Sequence, residues 1–223
     1  MLLLKDSATC AVMQAQWAVL EEQLAAGRAK ALGTYNFCDF STTCLLGKAT
    51  VPPAYNFVMR HVGMGPDATG LLADDASHGI RTVCYGTLGE PVALSKLLTD
   101  PTLVAIAEAH AKSVEAVALQ WNAQSGYAIS SRITADYAPD NEPHGTSHCS
   151  DDCRAALSDM AALSTWSLTH SEMMRLSAVR LEGYPQSPTY YSSSGCEASF
   201  AVSNHPNRSS CNSSAPTHNS SWC

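Results

Sequence analysis

The stretch Ala31-Leu-Gly-Thr-Tyr-Asn-Phe37 decides the fold of this chain, because it has the pattern of a buried strand that directly follows an amphipathic helix. Three further apolar stretches follow at intervals of one helix and one strand, at residues 56–61, 82–89 and 127–132. Strands that alternate with helices of about 10 to 15 residues must run parallel, since each crossover returns the chain to the same end of the sheet. The sequence therefore predicts an α/β protein with a parallel sheet.

The helices around these strands show regular apolar spacing and recognisable caps. The predicted first helix, residues 11–26, carries apolar side chains on one face: Met13, Trp17, Leu20 and Leu24. Asp100 before Pro101, and Ser113, predict the starts of two more helices, because their side chains can accept hydrogen bonds from the first turn. Thr169-His-Ser-Glu172 is a capping box, which predicts a further helix.

The composition indicates one compact unit, residues 1–182, followed by a tail. The chain has 223 residues, of which 45% are hydrophobic and 15% charged, as in ordinary soluble proteins. Residues 183–223 are rich in serine, asparagine and proline, so we expect a disordered tail. A net charge of −7 without a basic run argues against a nucleic-acid partner. The apolar run at residues 1–4 is too short to span a membrane, and we expect a cytoplasmic protein.

The chain has nine cysteines, an odd number. Together with the α/β pattern, this number indicates a reducing compartment, so we expect free thiols. Cys149 and Cys153, with His144 and His148 nearby, match a zinc site only in part, because no second cysteine pair completes tetrahedral coordination. No metal site is therefore predicted.

Several of these segments resemble the C-terminal half of the aldo-keto reductases, NAD(P)H-dependent carbonyl reductases built on a (β/α)8 barrel. Residues 17–37 resemble the helix and fifth strand of that barrel, which ends in Gly-Val-Ser-Asn-Phe. Residues 78–89 resemble its seventh strand, and residues 100–113 and 119–121 resemble the helices that follow. The resemblance covers roughly residues 1–180 and implies a partial (β/α)8 TIM barrel, about strands 4 to 8 with their helices.

The resemblance also implies where a nicotinamide nucleotide binds. Asn36 would hydrogen-bond the nicotinamide carboxamide, and the ring of Tyr85 would stack on nicotinamide. Gly86 and Leu88 would line the path of the pyrophosphate, and Asn141 would contact adenine. As ordinary structural residues, the same side chains would close a turn, fill the core or lie on a loop, and the sequence leaves both interpretations open.

Three positions depart from the family pattern. Tyr35 replaces the serine that precedes the strand-five asparagine, and Phe57 replaces the strand-six glutamine. Ser131 stands where a lysine usually meets the 2′-phosphate of NADP, but Arg132 could supply that charge, since a guanidinium binds phosphate through two parallel hydrogen bonds. We therefore expect NADP as the cofactor, with NAD as the alternative.

The resemblance assigns the catalytic aspartate, tyrosine and lysine to the first three strands of the barrel, ahead of the part matched here. The catalytic histidine belongs to strand four, where Lys5 stands. No catalytic residue is therefore assigned, and we expect a fragment, truncated at the N-terminus and inactive alone, of an oxidoreductase that reduces aldehydes and ketones to alcohols. Its small carbonyl substrate would need the missing half. Two alternatives stay open: a non-catalytic nucleotide- or partner-binding relative, and half-barrels that dimerise through exposed sheet edges.

Overall fold

The computed structural model describes residues 1–7, 9–67, 70–89, 94–130, 158–159 and 161–181. Within them, five strands form one sheet: β1 (Leu2–Lys5), β2 (Leu32–Tyr35), β3 (Tyr55–Met59), β4 (Arg81–Tyr85) and β5 (Ala128–Ser130). The strands neighbour one another in chain order, and every pair is parallel. Such a sheet with helices between its strands fits a portion of a (β/α)8 barrel. The predicted partial TIM barrel is confirmed, whereas the predicted tail, residues 183–223, lies outside the described residues.

α1 and α3 pack on one face of the sheet. The helical elements of the described residues are α1 (Cys10–Ala25), α2 (Asp39–Leu46), α3 (Leu71–Ser77), α4 (Leu94–Leu98), α5 (Pro101–His110), α6 (Val114–Gln124), a 3-10 turn (Leu163–Thr165) and α7 (His170–Ala178). The three predicted caps are confirmed. Asp100 accepts from the first turn of α5, Ser113 accepts from Ala116 N, and Thr169 and Glu172 form the capping box of α7. In the described parts of the chain, no helix is long and apolar enough to cross a membrane.

Two apolar clusters hold most of the helices in place. The first joins α1 to β1 and β2 through fully buried side chains, including Met13 and Trp17 on the predicted apolar face of α1. The second packs α5, α6 and α7 together around Trp121 and Leu176. In a smaller cluster, Val58 of β3 packs against the first residues of α3. The helices thereby fix the outer face of the sheet, and the strands present their carboxyl ends at one edge.

The described cysteines correct the prediction of free thiols. Cys10 and Cys44 form a disulfide with their Cα atoms 5.7 Å apart, and Cys38 is also disulfide-bonded. Among the described cysteines only Cys84, buried in β4, is free. The prediction was wrong because an odd count and an α/β pattern carry no information about which helices lie side by side. In the structure α1 and α2 are neighbours, and this brings Cys10 and Cys44 together. The weighed zinc ligands around Cys149 lie outside the described residues.

Candidate functional site

Half-buried aromatic side chains lie on the face of the sheet away from the helices, which we call the inner face. Leu32 of β2 packs against α1 and Val58 of β3 packs against α3, so both point outward. Since successive side chains of a strand point to opposite faces, Tyr35, Phe57 and Tyr85 point inward. All three are half-buried, so the inner face is aromatic around the ends of β2 and β4 and the middle of β3.

Asn36 and Tyr85 meet at the carboxyl edge of the sheet. The Tyr85 hydroxyl donates to Asn36 Oδ1 at 2.7 Å. Asn36 is fully buried, and its backbone N–H donates to the carbonyl of Phe57 at 2.8 Å. Its φ of 59° lies in the left-handed region, which asparagine tolerates better than most side chains. The structure thus brings together the two residues to which the resemblance assigns the nicotinamide ring.

Tyr35 covers the same tyrosine from β2. The rings of Tyr35 and Tyr85 are stacked, with centroids 4.9 Å apart and an interplanar angle of 19°. Tyr35 lies beside Phe57 in the sheet register, and Phe57 lies beside Val83 of β4. Sequence reasoning recorded Tyr35 as a departure from the family but missed this contact. The alternation of side chains, which puts residues 35, 57 and 85 on one face, was the available signal.

Behind Tyr85 the chain makes a tight turn. Gly86 has a φ of 60° and its carbonyl accepts from Gly89 N at 2.9 Å, a conformation that favours glycine. The side chain of Leu88 is buried in the cluster of α5, α6 and α7, so any contact of this residue with a pyrophosphate would come from its backbone. The pyrophosphate roles of Gly86 and Leu88 stay predictions. Arg132 and Asn141 lie outside the described residues.

Two titratable side chains stand near this edge. Lys5 ends β1, is exposed, and lies beside Tyr35 in the register. His61 follows β3 and is buried; its Nδ1 lies 2.7 Å from the carbonyl of Val62, and burial lowers its pKa. Because a carbonyl oxygen only accepts, His61 Nδ1–H donates in this hydrogen bond. Sequence reasoning missed His61, since no motif surrounds it. The described residues hold no group of three or more metal-ligating side chains.

The geometry fits a nicotinamide ring with one obstacle. Tyr85 offers a half-buried aromatic ring, and the amide of Asn36 lies within hydrogen-bond distance of its hydroxyl. These are the groups that can stack on a planar heterocycle and bind a carboxamide. The obstacle is Tyr35, which covers one face of the Tyr85 ring. A nicotinamide on that face would have to replace the Tyr35 ring.

Fold and site together define a class: part of a (β/α)8 barrel with polar and aromatic groups at the carboxyl edge, where barrel enzymes place their active sites. No family model matches the chain. It is 31% identical to morphine 6-dehydrogenase of Pseudomonas putida over 118 residues, which cover 49% of this chain and 39% of that protein. It is 32% identical to an aldo-keto reductase of Mycobacterium avium over 103 residues, which cover 46% of this chain and 34% of that protein.

Solved structures with the same fold include MGS-M4, an aldo-keto reductase from a Medee basin deep-sea metagenome library. Its TM-score is 0.66 at 20% identity, and the match covers 80% of this chain and 59% of that chain. A mutant of Gox0644 in complex with NADPH has a TM-score of 0.60 at 21% identity, covering 82% of this chain and 60% of that chain. The curated homologues of this chain are aldo-keto reductases, and so are its structural neighbours, which confirms the resemblance found in the sequence. The chain spans about two fifths or less of the length of the curated relatives above.

Proposed function

We propose that this chain forms the nucleotide-binding side of an aldo-keto reductase-like oxidoreductase, which uses NAD(P)H to reduce aldehydes or ketones to alcohols. The observation that carries the proposal is the contact between Tyr85 and Asn36 at the carboxyl edge of a sheet with this fold. When bound, the nucleotide supplies the hydride. The chain's own part is to hold the nicotinamide ring against Tyr85 and to orient its carboxamide at Asn36.

NADP is the proposed nucleotide, and NAD is the alternative. A structural neighbour of this chain has been solved with NADPH, which supports a nicotinamide nucleotide in this fold. Arg132 is proposed to pair with the 2′-phosphate, because a guanidinium presents two parallel donors to phosphate. A comparison of NADPH and NADH affinities for the wild-type chain and for Arg132→Ala tests this. Loss of the NADPH preference in the variant is the expected result, and an unchanged preference contradicts it.

Nucleotide binding is tested by titrating the 223-residue chain with NADPH and following the quenching of its intrinsic fluorescence. We expect Tyr85→Leu to weaken binding by about 5-fold, because the variant loses the hydroxyl that orients the Asn36 amide, a hydrogen bond of about 1 kcal/mol. Tyr55→Leu is the matched control, because Tyr55 lies on the same inner face at the opposite edge. Tyr55 pairs with Arg81, which precedes Tyr85 by four residues, so at about 3.3 Å per residue it lies about 13 Å from Tyr85 along the strands. Equal affinities of the two variants, or no binding by the wild type, contradict the proposal.

We further propose that this polypeptide alone does not turn over carbonyl substrates. The Tyr85 hydroxyl is committed to Asn36, and no described residue is assigned to the aspartate–tyrosine–lysine set that the resemblance requires. A tyrosine acts as a proton donor in such a reaction only when its pKa and position suit the carbonyl oxygen. NADPH absorbance with 4-nitrobenzaldehyde should stay at the buffer rate. Turnover that Tyr85→Phe or Lys5→Met removes would contradict this.

The second candidate function is a non-catalytic relative that dimerises through its sheet edges. Among the strands of the described residues, β1 and β5 are the terminal ones, and the side chain of Leu3 in β1 is 40% exposed. An exposed apolar edge strand can pair with another chain. A concentration-dependent dimer in light scattering that Leu3→Lys dissociates, together with no nucleotide binding, would favour this function. A monomer at all concentrations would exclude it.

A cytoplasmic location and a small carbonyl substrate belong to the proposal, and no nucleic-acid or membrane partner is proposed. The Cys10–Cys44 disulfide is a bond that a reducing compartment does not normally keep. Trapping thiols by alkylation at the moment of cell lysis tests the location. Alkylated Cys10 and Cys44 are expected for a cytoplasmic protein, and an intact disulfide points to an oxidising compartment.

A further inference from the structure

We propose that Tyr35 is an internal competitor of the nicotinamide ring: it occupies the face of Tyr85 on which nicotinamide stacks, and the nucleotide must displace it to bind. The inference rests on the proposed function, because it concerns the same ring. The Tyr35 ring thereby lowers the affinity of the site for a nicotinamide nucleotide. It contacts Tyr85 directly, from the neighbouring end of β2.

The spacing of the two rings excludes a nicotinamide between them. The Tyr35 and Tyr85 centroids are 4.9 Å apart and the rings are nearly parallel, at 19°. A third ring inserted between them would need about 7 Å, which is twice the contact distance of about 3.5 Å between stacked carbon atoms. Stacking on this face of Tyr85 therefore requires the Tyr35 side chain to move.

Of the two rings, Tyr35 is the one that can leave. Tyr85 is fixed by its hydrogen bond to Asn36, and Asn36 is fully buried and tied to β3 through its backbone. Tyr35 ends β2 and is half-buried, so a change of rotamer carries its ring away without breaking the bond between Tyr85 and Asn36. The nucleotide then exchanges one aromatic contact of Tyr85 for another, and gains little from the stack.

This exchange makes the prediction quantitative. An aromatic pair of this kind is worth a factor of about 2 to 10 in an equilibrium constant. Removing the Tyr35 ring should therefore raise the affinity for NADPH by about 2- to 10-fold. A nucleotide that lacks nicotinamide, such as 2′,5′-ADP, does not compete with Tyr35, and its affinity should not change.

The experiment titrates NADPH and 2′,5′-ADP by calorimetry into five full-length proteins: the wild type, Tyr35→Ser, Tyr35→Leu, Tyr35→Phe and Tyr85→Leu. We expect Tyr35→Ser and Tyr35→Leu to bind NADPH about 2- to 10-fold more tightly, and Tyr35→Phe, which keeps the stacked ring, to match the wild type. Two variants without the ring are used, one polar and one apolar, because a half-buried position can tolerate one kind of side chain and not the other. Circular dichroism shows which of them is folded and carries the test.

The outcomes separate the inference from the function on which it rests. Weaker NADPH binding by Tyr85→Leu with unchanged binding by both ring-free Tyr35 variants overturns the inference and leaves the proposed function standing, because nicotinamide then uses the other face of Tyr85. Tighter binding of 2′,5′-ADP to the same extent as NADPH also overturns it. No binding of NADPH to any of the five proteins overturns both.

Discussion

Asp75 gives this chain an unusual dependence of stability on pH. The side chain is fully buried in α3, where its carboxylate accepts from Thr82 Oγ1 at 2.8 Å and from Asn56 Nδ2 at 3.1 Å. Burial raises the pKa of Asp75 from 3.8 to about 7. The hydrogen bonds from Thr82 and Asn56 oppose this rise, and the nearby carboxylates of Asp74 and Asp67 add to it.

The direction of the effect follows from the proton balance. Between about pH 4 and pH 7 the folded chain holds a proton on Asp75 that the unfolded chain has released, so the free energy of unfolding falls as the pH rises. A pKa difference of about 3 units corresponds to about 4 kcal/mol, at about 1.4 kcal/mol per pH unit. The stabilising contribution of the neutral carboxyl is complete below about pH 4 and lost above about pH 7.

Asp75→Asn tests this reasoning, because asparagine has the same shape, still accepts from Asn56 and can donate to Thr82. We expect the variant to match the wild type near pH 4 and to exceed its free energy of unfolding by up to about 4 kcal/mol near pH 8. Urea unfolding followed by circular dichroism at several pH values measures the difference. Glu108→Gln is the control, since it removes the same charge from an exposed position. A constant difference between Asp75→Asn and the wild type across this range would refute the argument.

Three further predictions concern single contacts. Cys10→Ser should lower the free energy of unfolding by about 3 to 4 kcal/mol under oxidising conditions, because the bond to Cys44 closes a loop of 34 residues, and the difference should vanish when both proteins are reduced. Arg60→Lys should cost about 2 kcal/mol in urea unfolding, because only a guanidinium stacks 3.7 Å from the Trp121 ring; an unchanged midpoint contradicts this. Asn36→Gly should be about 1 kcal/mol more stable than Asn36→Ala, because the φ at this position is positive; the usual order, with alanine the more stable, contradicts it.

The sequence predicted most of the fold because its apolar pattern is regular. The helix expected at residues 11–26 is found at Cys10–Ala25, and the strand expected within residues 31–37 is found at Leu32–Tyr35. α2 was not predicted, because its adjacent threonines, Thr42 and Thr43, lower the intrinsic helix propensity. Tertiary contacts that sequence periodicity does not record, including the Cys10–Cys44 bond, support this helix.

The candidate site was predictable only as far as the resemblance to the aldo-keto reductases reached. That resemblance assigned Asn36 and Tyr85, and the parallel pattern placed both at the edge where the strands have their carboxyl ends. The Tyr35 stack was not found, because it depends on how far a side chain of β2 reaches across β3 towards β4. His61 was missed because its burial and its bond to Val62 arise from packing alone.

The segment that carries Asn36 is held by two adjacent residues of β3. Asn36 N–H donates to the carbonyl of Phe57 at 2.8 Å, while the carbonyl of Phe37 accepts from Asn56 Nδ2 at 2.9 Å. Adjacent residues of one strand thus fix adjacent residues of the loop, and the same Asn56 amide contacts Asp75. Buried polar groups are costly unless they are hydrogen-bonded, and here the bonds fix the backbone beside the candidate site. Because Asp75→Asn keeps the acceptor of Asn56, it should change the free energy of unfolding while leaving the affinity for NADPH at the wild-type value.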